Sequence, residues 1–465
     1  MPDMPPKERK AIIIGAGLTG LTTAFYLKKQ GFDVSVLDIL PQAGGVIQTH
    51  REKGFVFESG PNTGVLGNPE TVELFRELEG LCELETANPA AKSRWIWKGK
   101  QWEPLPSGLW EYVRTPLFAA KDKLRLFAEP WQKKGTDPNE TLDRLVLRRL
   151  GKSFLDYAVD PFVAGVYAGD AGYLVPRFAL PKLYNLEQNH GSFIRGAIAR
   201  HKQPKSERDK LATREVFSAK NGLGSLIGAM VERIGKDNLV LGCHGISVDC
   251  AANTDGSLRY IVKGHGNGLP IHIDAPWLVT TSGAHSLPDL LPFTDPMLLQ
   301  PFDELVYAKV VQVILGFEHW QGIPINAFGG LVPSREKRDI LGALFTSSFF
   351  ENRAPKGGAL LSVFLGGMRQ PAIFGMTDEA IMQLVEKELT DMLDIPCFNP
   401  SVARIFRYHH AIPQYGASTE QRLLAVSAIE NNYPGLVIGG NLRDGIGMAD
   451  RIKQGRNIAE DLGQR

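Results

Sequence analysis

The sequence predicts an α/β fold, with a doubly wound nucleotide-binding domain that is interrupted by a sheet-based domain and a helical subdomain. Three observations carry this. Glycine-rich strand–turn–helix segments stand at both ends of the chain, at 10–39 and 435–462. Between them, residues 110–200 read as mainly helical, whereas 300–375 carry strand-like runs such as AKVVQVILGF and ALLSVFLGG. A chain of 465 residues also exceeds what one hydrophobic core holds.

The first segment is KAIIIGAGLTGLTTAFYLKKQGFDVSVLDI. Residues 11–14 form an apolar strand, and Gly15, Gly17 and Gly20 make GxGxxG. Residues 21–29 read as a helix closed by Gly31, and DVSVLD is a second strand ending on Asp38. A GxGxxG alone is weak, but strand, helix, second strand and terminal acid together define a Rossmann-like dinucleotide site. Gly15 permits the tight turn, and Gly17 lets N–H groups approach a pyrophosphate at the helix N-terminus. Gly20 lets the helix close on the sheet. Ala16, Leu18 and Thr19 complete the turn, and Asp38, followed by Ile39, is the acceptor for a ribose hydroxyl.

PQAGGVIQTHREKGFVFESGPN follows. Gly44 and Gly45, then Val46, come just after the acidic strand. GFVFESG alternates like a half-buried strand and ends on Gly60, Pro61, Asn62 and Thr63. The doublet resembles the second glycine motif of flavoproteins in the amine oxidase and glutathione reductase superfamily, which makes FAD the expected cofactor. At the other end, GLVIGGNLRDGIGMADRIKQGRNIAEDL is a strand, a glycine turn and a helix. It resembles the superfamily segment that returns to the flavin ring. Ile446, Gly447 and Met448 would then place N–H groups and a positive helix end at the pyrimidine side of the isoalloxazine. NLVLGCHGISVDC reads as a strand pair, and the resemblance implies that Ile246 lends its backbone to the adenine.

The expected domains are a discontinuous FAD-binding unit (1–85, 206–292, 418–465), a substrate unit (86–110, 293–417) and a helical unit (111–205). TDPNETLDRLVLRRLG predicts a helix with Leu142, Leu145, Val146 and Leu150 at helical spacing. RHKQPKSERDK is a linker or loop. LPSGLWEYVRTPLFAAKDKLRLFAEPWQKK mixes Leu109, Trp110, Tyr112, Leu117, Phe118, Leu124, Phe127 and Trp131 with basic residues. It reads either as a core-facing helix pair or as a peripheral membrane-docking face.

The formal charge of +1 gives no support to nucleic-acid binding. Cys82, Cys243, Cys250 and Cys397 are too dispersed for a metal knuckle or a redox pair, and fit a reducing cytoplasm. No histidine spacing argues for a metal site. The opening MPDMPPKERK lacks the apolar core of a signal peptide. LVYAKVVQVILGF is too short to span a bilayer.

FVAGVYAGD, LPKLYNLEQNHGSF, NGLGSL and GGLVPSREKRDILGALFTSSFFENRAP resemble the protoporphyrinogen oxidase family. With the glycine motifs, the resemblance covers nearly the whole chain. It implies an oxidoreductase acting on CH–CH groups in heme and porphyrin biosynthesis. A porphyrinogen would lose six electrons in three hydride transfers to flavin N5, with dioxygen as acceptor and hydrogen peroxide as its product. No general base and no metal ligand is assigned. By the same resemblance Arg94 pairs with a substrate propionate, and the carbonyl of Gly169 faces a pyrrole N–H. Phe364 stacks near a ring, and Leu344 sandwiches another, with Leu341 competing for that role. The residues alone equally allow Arg94 to stack on a neighbouring tryptophan, Gly169 to serve a turn and Phe364 to fill a core. The family's usual proline after GVYAGD is replaced by Ala171.

The rival readings are oxidation of coproporphyrinogen III, another amine oxidase-like flavin oxidase or carotenoid desaturase, and a non-catalytic flavin-binding scaffold. Localisation is expected in the cytoplasm, peripheral on the cytoplasmic membrane. Oligomeric state stays open, with a homodimer as one arrangement.

Overall fold

The computed structural model describes residues 8–266 and 268–465. The opening MPDMPPK, read above for a signal peptide, lies outside the described residues.

Five parallel strands form the nucleotide-binding sheet, in the order Leu239–Val240, Asp33–Leu37 (β2), Lys10–Ile14 (β1), Trp277–Thr280 and Leu436–Ile438. Its strands therefore come from the start, middle and end of the chain. Both faces are covered, so β1 is apolar and buried from Ala11 to Ile14 rather than alternating. Ile13, Val34 and Val36 pack under helix α1 (Leu18–Lys29) and the C-terminal helix Met448–Gln464. Ile12, Ile14 and Leu37 pack on the other side with Val426 and Ile429 of the helix Thr419–Asn432.

Three details differ from the sequence expectation. Helix α1 begins at Leu18, not at residue 21, so Gly20 lies inside its first turn. The Phe55–Ser59 strand is buried along its whole length instead of alternating. Phe55 and Phe57 face an apolar cluster, while Glu58 on the other side bonds Thr49 and the Leu223 amide. The 238–250 stretch gives two strands that do not pair with each other. Leu239–Val240 joins β2, while His244–Ala252 starts a separate antiparallel sheet with Leu258–Gly266 and Leu269–Ala275.

The second large sheet has seven strands, ordered Val402–Pro413, Tyr307–Phe317, Ala359–Gly366, Gly342–Leu344, Gly329–Leu331, Arg94–Lys98 and Gln101–Pro104. Val311, Val313, Leu361 and Val363 on one face pack against Ile381, Val385 and Leu389 of the helix Asp378–Leu393. The opposite face turns toward the nucleotide-binding unit.

Short helices occupy much of the chain between Leu109 and Lys202. The predicted helix is present as Leu142–Arg149, with Leu142, Leu145 and Val146 buried. Arg149 is fully buried and ion-pairs with Glu129 and Glu187, while Glu129 also accepts from Ser192 and the Phe193 amide. Removing one partner of such a buried cluster costs about 3–5 kcal/mol, because a bare charge remains. The 105–134 stretch is divided between core and surface. Leu117 and Phe118 point inward, and Phe118 stacks on Phe154 at 4.1 Å. Leu109, Trp110, Val113, Leu124, Phe127 and Trp131 are exposed, the two tryptophans at 77% and 78%. Among the described residues, no helix is long and apolar enough to cross a membrane.

Candidate active site

The nucleotide end is assembled by close approach of four segments. At Gly20 a Cβ would lie 1.9 Å from the Gly15 carbonyl oxygen, so only glycine lets α1 start there. At Gly17 a Cβ would meet no protein atom within 4 Å. Gly17 is the extended N-cap of α1, and no side chain caps the helix. The amides of its first turn are thus aimed outward, which suits a pyrophosphate. Gly45, at φ +60°, lies against Gly17, with its Cβ position 3.4 Å from the Gly17 Cα. The doublet therefore sits across from the first glycine motif.

Asp38 is held before any ligand is considered. Its Oδ2 accepts the Ala16 amide at 2.6 Å and its Oδ1 the Leu40 amide at 2.8 Å. Burial raises its carboxyl above the usual range, and these amides oppose the rise. Each carboxylate oxygen keeps lone-pair capacity for a ribose hydroxyl. Ile39 and Val46 beside these elements are exposed, and Leu18 and Thr19 are buried in the first turn of α1.

The chain just after the Gly60–Thr63 stretch, at Gly64 and Asn68, meets the C-terminal helix. The Met448 side chain closes against Gly64, and Asn68 donates to the Ala449 carbonyl at 2.8 Å. Gly447 is the extended N-cap of that helix, with Ile446 half-buried before it. Ile246 lies in a bulge of its strand, between the paired residues His244 and Ser247. Its backbone is thus outside the regular ladder, next to the segment that bonds Asp38. These segments fit FAD: open backbone at a helix start, a ribose acceptor and a second helix end at the ring position.

The cross-strand register explains the substrate side. Arg94, Gly329, Leu344 and Ser362 lie opposite one another across four strands. Gly342, Phe364 and Gln312 form the next row, two residues along. Residues two apart share a face, so Arg94, Leu344, Phe364 and Gln312 share one. Trp95 and Trp97 point to the other face. The tryptophan-stacking account of Arg94 is therefore corrected: its guanidinium lies 5.4 Å over the Phe328 ring, and Arg338 takes the Trp97 ring instead. Among the described residues the exposed Arg94 makes no ion pair.

Leu344 packs with Phe328, Phe349 and Phe350, on the Arg94 side. Leu341 packs instead with Phe364, Ala164 and Ala168. Gly169 follows Ala168, which takes the left-handed conformation (φ +46°) that ends its helix. Gly169 is therefore not the glycine of the turn. A Cβ there would meet the Gln414 Oε1 at 2.5 Å. Gln414 donates to the carbonyls of Tyr167 and Ile412, and the Met368 amide donates to Ala168. These contacts pin the GVYAG turn to the end of the Phe364 strand.

Gln312, Gln414 and Phe328 were not singled out from sequence. Each acts on residues far away in the chain, and each looks like an ordinary strand or loop residue. Only the two-residue period of the strand around Gln312 held a signal, a lone polar side chain on a buried face.

The chain matches the family "Flavin containing amine oxidoreductase" over residues 18–462. It is 28% identical to the mitochondrial protoporphyrinogen oxidase of Nicotiana tabacum, with 98% of this chain and 95% of that protein covered. It is 25% identical to the coproporphyrinogen III oxidase of Bacillus subtilis, with 98% of each covered. A solved structure from Exiguobacterium has the same fold, with a TM-score of 0.79 at 22% identity over 99% of this chain and 100% of that one.

Proposed function

Given that this chain belongs to the family of flavin containing amine oxidoreductases and uses FAD, we propose that it oxidises protoporphyrinogen IX to protoporphyrin IX with dioxygen as acceptor. When bound, FAD supplies a two-electron acceptor for hydride. The chain's own residues bind and orient. The carrying observation is Arg94, an exposed guanidinium without a carboxylate, on the same sheet face as Phe364 and Leu344. A guanidinium offers a planar fork to a propionate. Arg94 and Phe364 stand three strand spacings across and two residues along from each other, roughly 16 Å. An apolar macrocycle anchored at Arg94 can thus lie along the face toward Phe364, with a methylene bridge turned to the flavin. The aromatic and aliphatic side chains on that face limit water. No side chain is assigned as a general base.

The alternative substrate is coproporphyrinogen III, favoured by the resemblance to the Bacillus subtilis enzyme. The exposed apolar face at Leu109, Trp110, Val113, Leu124, Phe127 and Trp131 favours the more apolar substrate, because it suits work at a membrane surface. Asp122 and Glu129 are buried, so the basic residues of this stretch dominate its exposed charge. We propose that this face docks on the cytoplasmic membrane. Oxidation rates with the two porphyrinogens, measured side by side with oxygen uptake and peroxide release, test the substrate. Faster turnover of protoporphyrinogen supports the reading, and faster turnover of coproporphyrinogen overturns it.

A further inference from the structure

The loop 439–447 leads into the C-terminal helix, and its carbonyls are gripped from one side. Tyr415, 2% exposed, donates its hydroxyl to the carbonyls of Asn441 at 2.6 Å and Gly445 at 3.1 Å. Arg422, fully buried, donates from Nε to the Leu442 carbonyl at 3.3 Å. Arg451, 8% exposed, donates to the carbonyls of Gly440 and Arg443. With these carbonyls taken, amides in the middle of the loop are left for another partner, while those of Gly439, Gly440 and Gly447 bond Thr280, Gln454 and Asp450. Among the described residues, the amides of 441, 442 and 444–446 find no protein acceptor.

Neither buried guanidinium has a carboxylate within ion-pair distance among the described residues. Arg443, on the same loop, does: it pairs with Glu430 at 2.9 Å. The nearby acids are engaged elsewhere. Asp450 accepts the Gly447 amide at 3.3 Å, and the exposed Asp444 accepts from Gln454 at 2.7 Å. Arg422 also has a buried amino group, and Arg451 a buried Nε, without any hydrogen-bond partner. Taking a cation out of water without a counter-charge is costly. A fold that does so twice behind one loop has positive potential there to spare.

A hydride carries two electrons and one proton, so a flavin that receives one gains a negative charge. We infer that Arg422 and Arg451 form a buried positive field behind loop 439–447 that stabilises the reduced, anionic flavin and raises the cofactor's reduction potential. This rests on the reading of Ile446, Gly447 and Met448 as flavin contacts. Both arginines are positioning residues, acting through the loop amides and through space.

The test uses the FAD-loaded enzyme with Arg422→Met, Arg451→Met and Arg451→Lys, with reduction potential and sulfite affinity as readouts. Sulfite adds to flavin N5 and leaves a negative charge on the ring, so it reports the same field. Each Met variant should weaken sulfite binding about tenfold and lower the two-electron potential by the equivalent ~30 mV. Arg451→Lys, which keeps the charge, should stay near the parent. A FAD-loaded Met variant with unchanged potential, or a Lys variant that falls as far as Met, overturns the inference. Should the Met variants not fold, the parent enzyme decides through the pH dependence of its potential. A slope of ~30 mV per pH unit through neutrality means one proton per two electrons, hence an anionic product, whereas ~60 mV means two protons and overturns it. A parent protein that binds no FAD would instead overturn the flavin reading itself.

Discussion

Gln312 accepts a hydrogen bond from the Gly60 amide at 2.7 Å, joining the Tyr307–Phe317 strand of the seven-stranded sheet to the Gly60–Thr63 stretch. The same fully buried side chain donates to the Glu58 carbonyl at 3.1 Å and to Ser362 Oγ at 2.9 Å, and Asn62 reaches Ser362 at 3.3 Å. A single amide thus fixes the Gly60–Thr63 stretch against the face that carries Arg94, Leu344 and Phe364. Gln312→Leu strips the partner from buried groups and should cost about 2–4 kcal/mol. Urea unfolding measures that loss, and FAD release should quicken in parallel. A variant matching the parent in both would show that the tether contributes nothing.

Gly17→Val should give a folded protein without FAD. A Cβ at this position meets no protein atom within 4 Å, so the apoprotein should keep its helix content and unfolding midpoint. It would, however, stand where backbone must approach a pyrophosphate. Gly20→Val, driven into the Gly15 carbonyl, should fail to fold. Flavin absorbance after desalting, read beside circular dichroism, separates the two. Yellow Gly17→Val protein would contradict the assignment.

Arg94→Ala should raise KM for the porphyrinogen with FAD content and folding intact. Losing a charged hydrogen bond of ~1.5–3 kcal/mol corresponds to roughly 10–150-fold. kcat should change less, provided the pair mainly supplies uniform binding. Arg94→Lys should recover only part of the loss, since the planar fork is gone. An unchanged KM in Arg94→Ala would leave stacking on Phe328 as the whole role of this residue.

Trp110→Ser with Trp131→Ser should reduce co-sedimentation with anionic liposomes while leaving the unfolding midpoint unchanged, because both rings are exposed. Phe118→Ser should behave oppositely. It removes a ring stacked on Phe154 and should destabilise the helical unit by about 3–5 kcal/mol. Equal sedimentation by the folded tryptophan double variant would remove the membrane proposal.

The glycine motifs were legible because each acts on its own chain neighbours: Gly20 must pass Gly15, and Asp38 must reach Ala16, within one strand–turn–helix unit. Composition and period likewise indicated a parallel sheet at the ends and strands after residue 300. Other features follow from which distant segments meet. The 105–134 stretch has one aromatic–basic pattern, yet Phe118 is core and Trp110 is surface, because Phe154 arrives to cover only one side. Gly169 reads as a turn glycine, yet Ala168 makes the turn, and Gln414, from the far end of the chain, crowds the space beside Gly169. Arg94 stands directly before Trp95-Ile96-Trp97 in sequence, but strand alternation sends the tryptophans to the opposite face, and Phe328 comes from the turn that leads into a neighbouring strand. Local sterics and periodicity are written in short stretches of sequence. Strand order, register and the burial of Gln312, Arg422 and Arg451 are set by contacts that exist only once the sheets have closed.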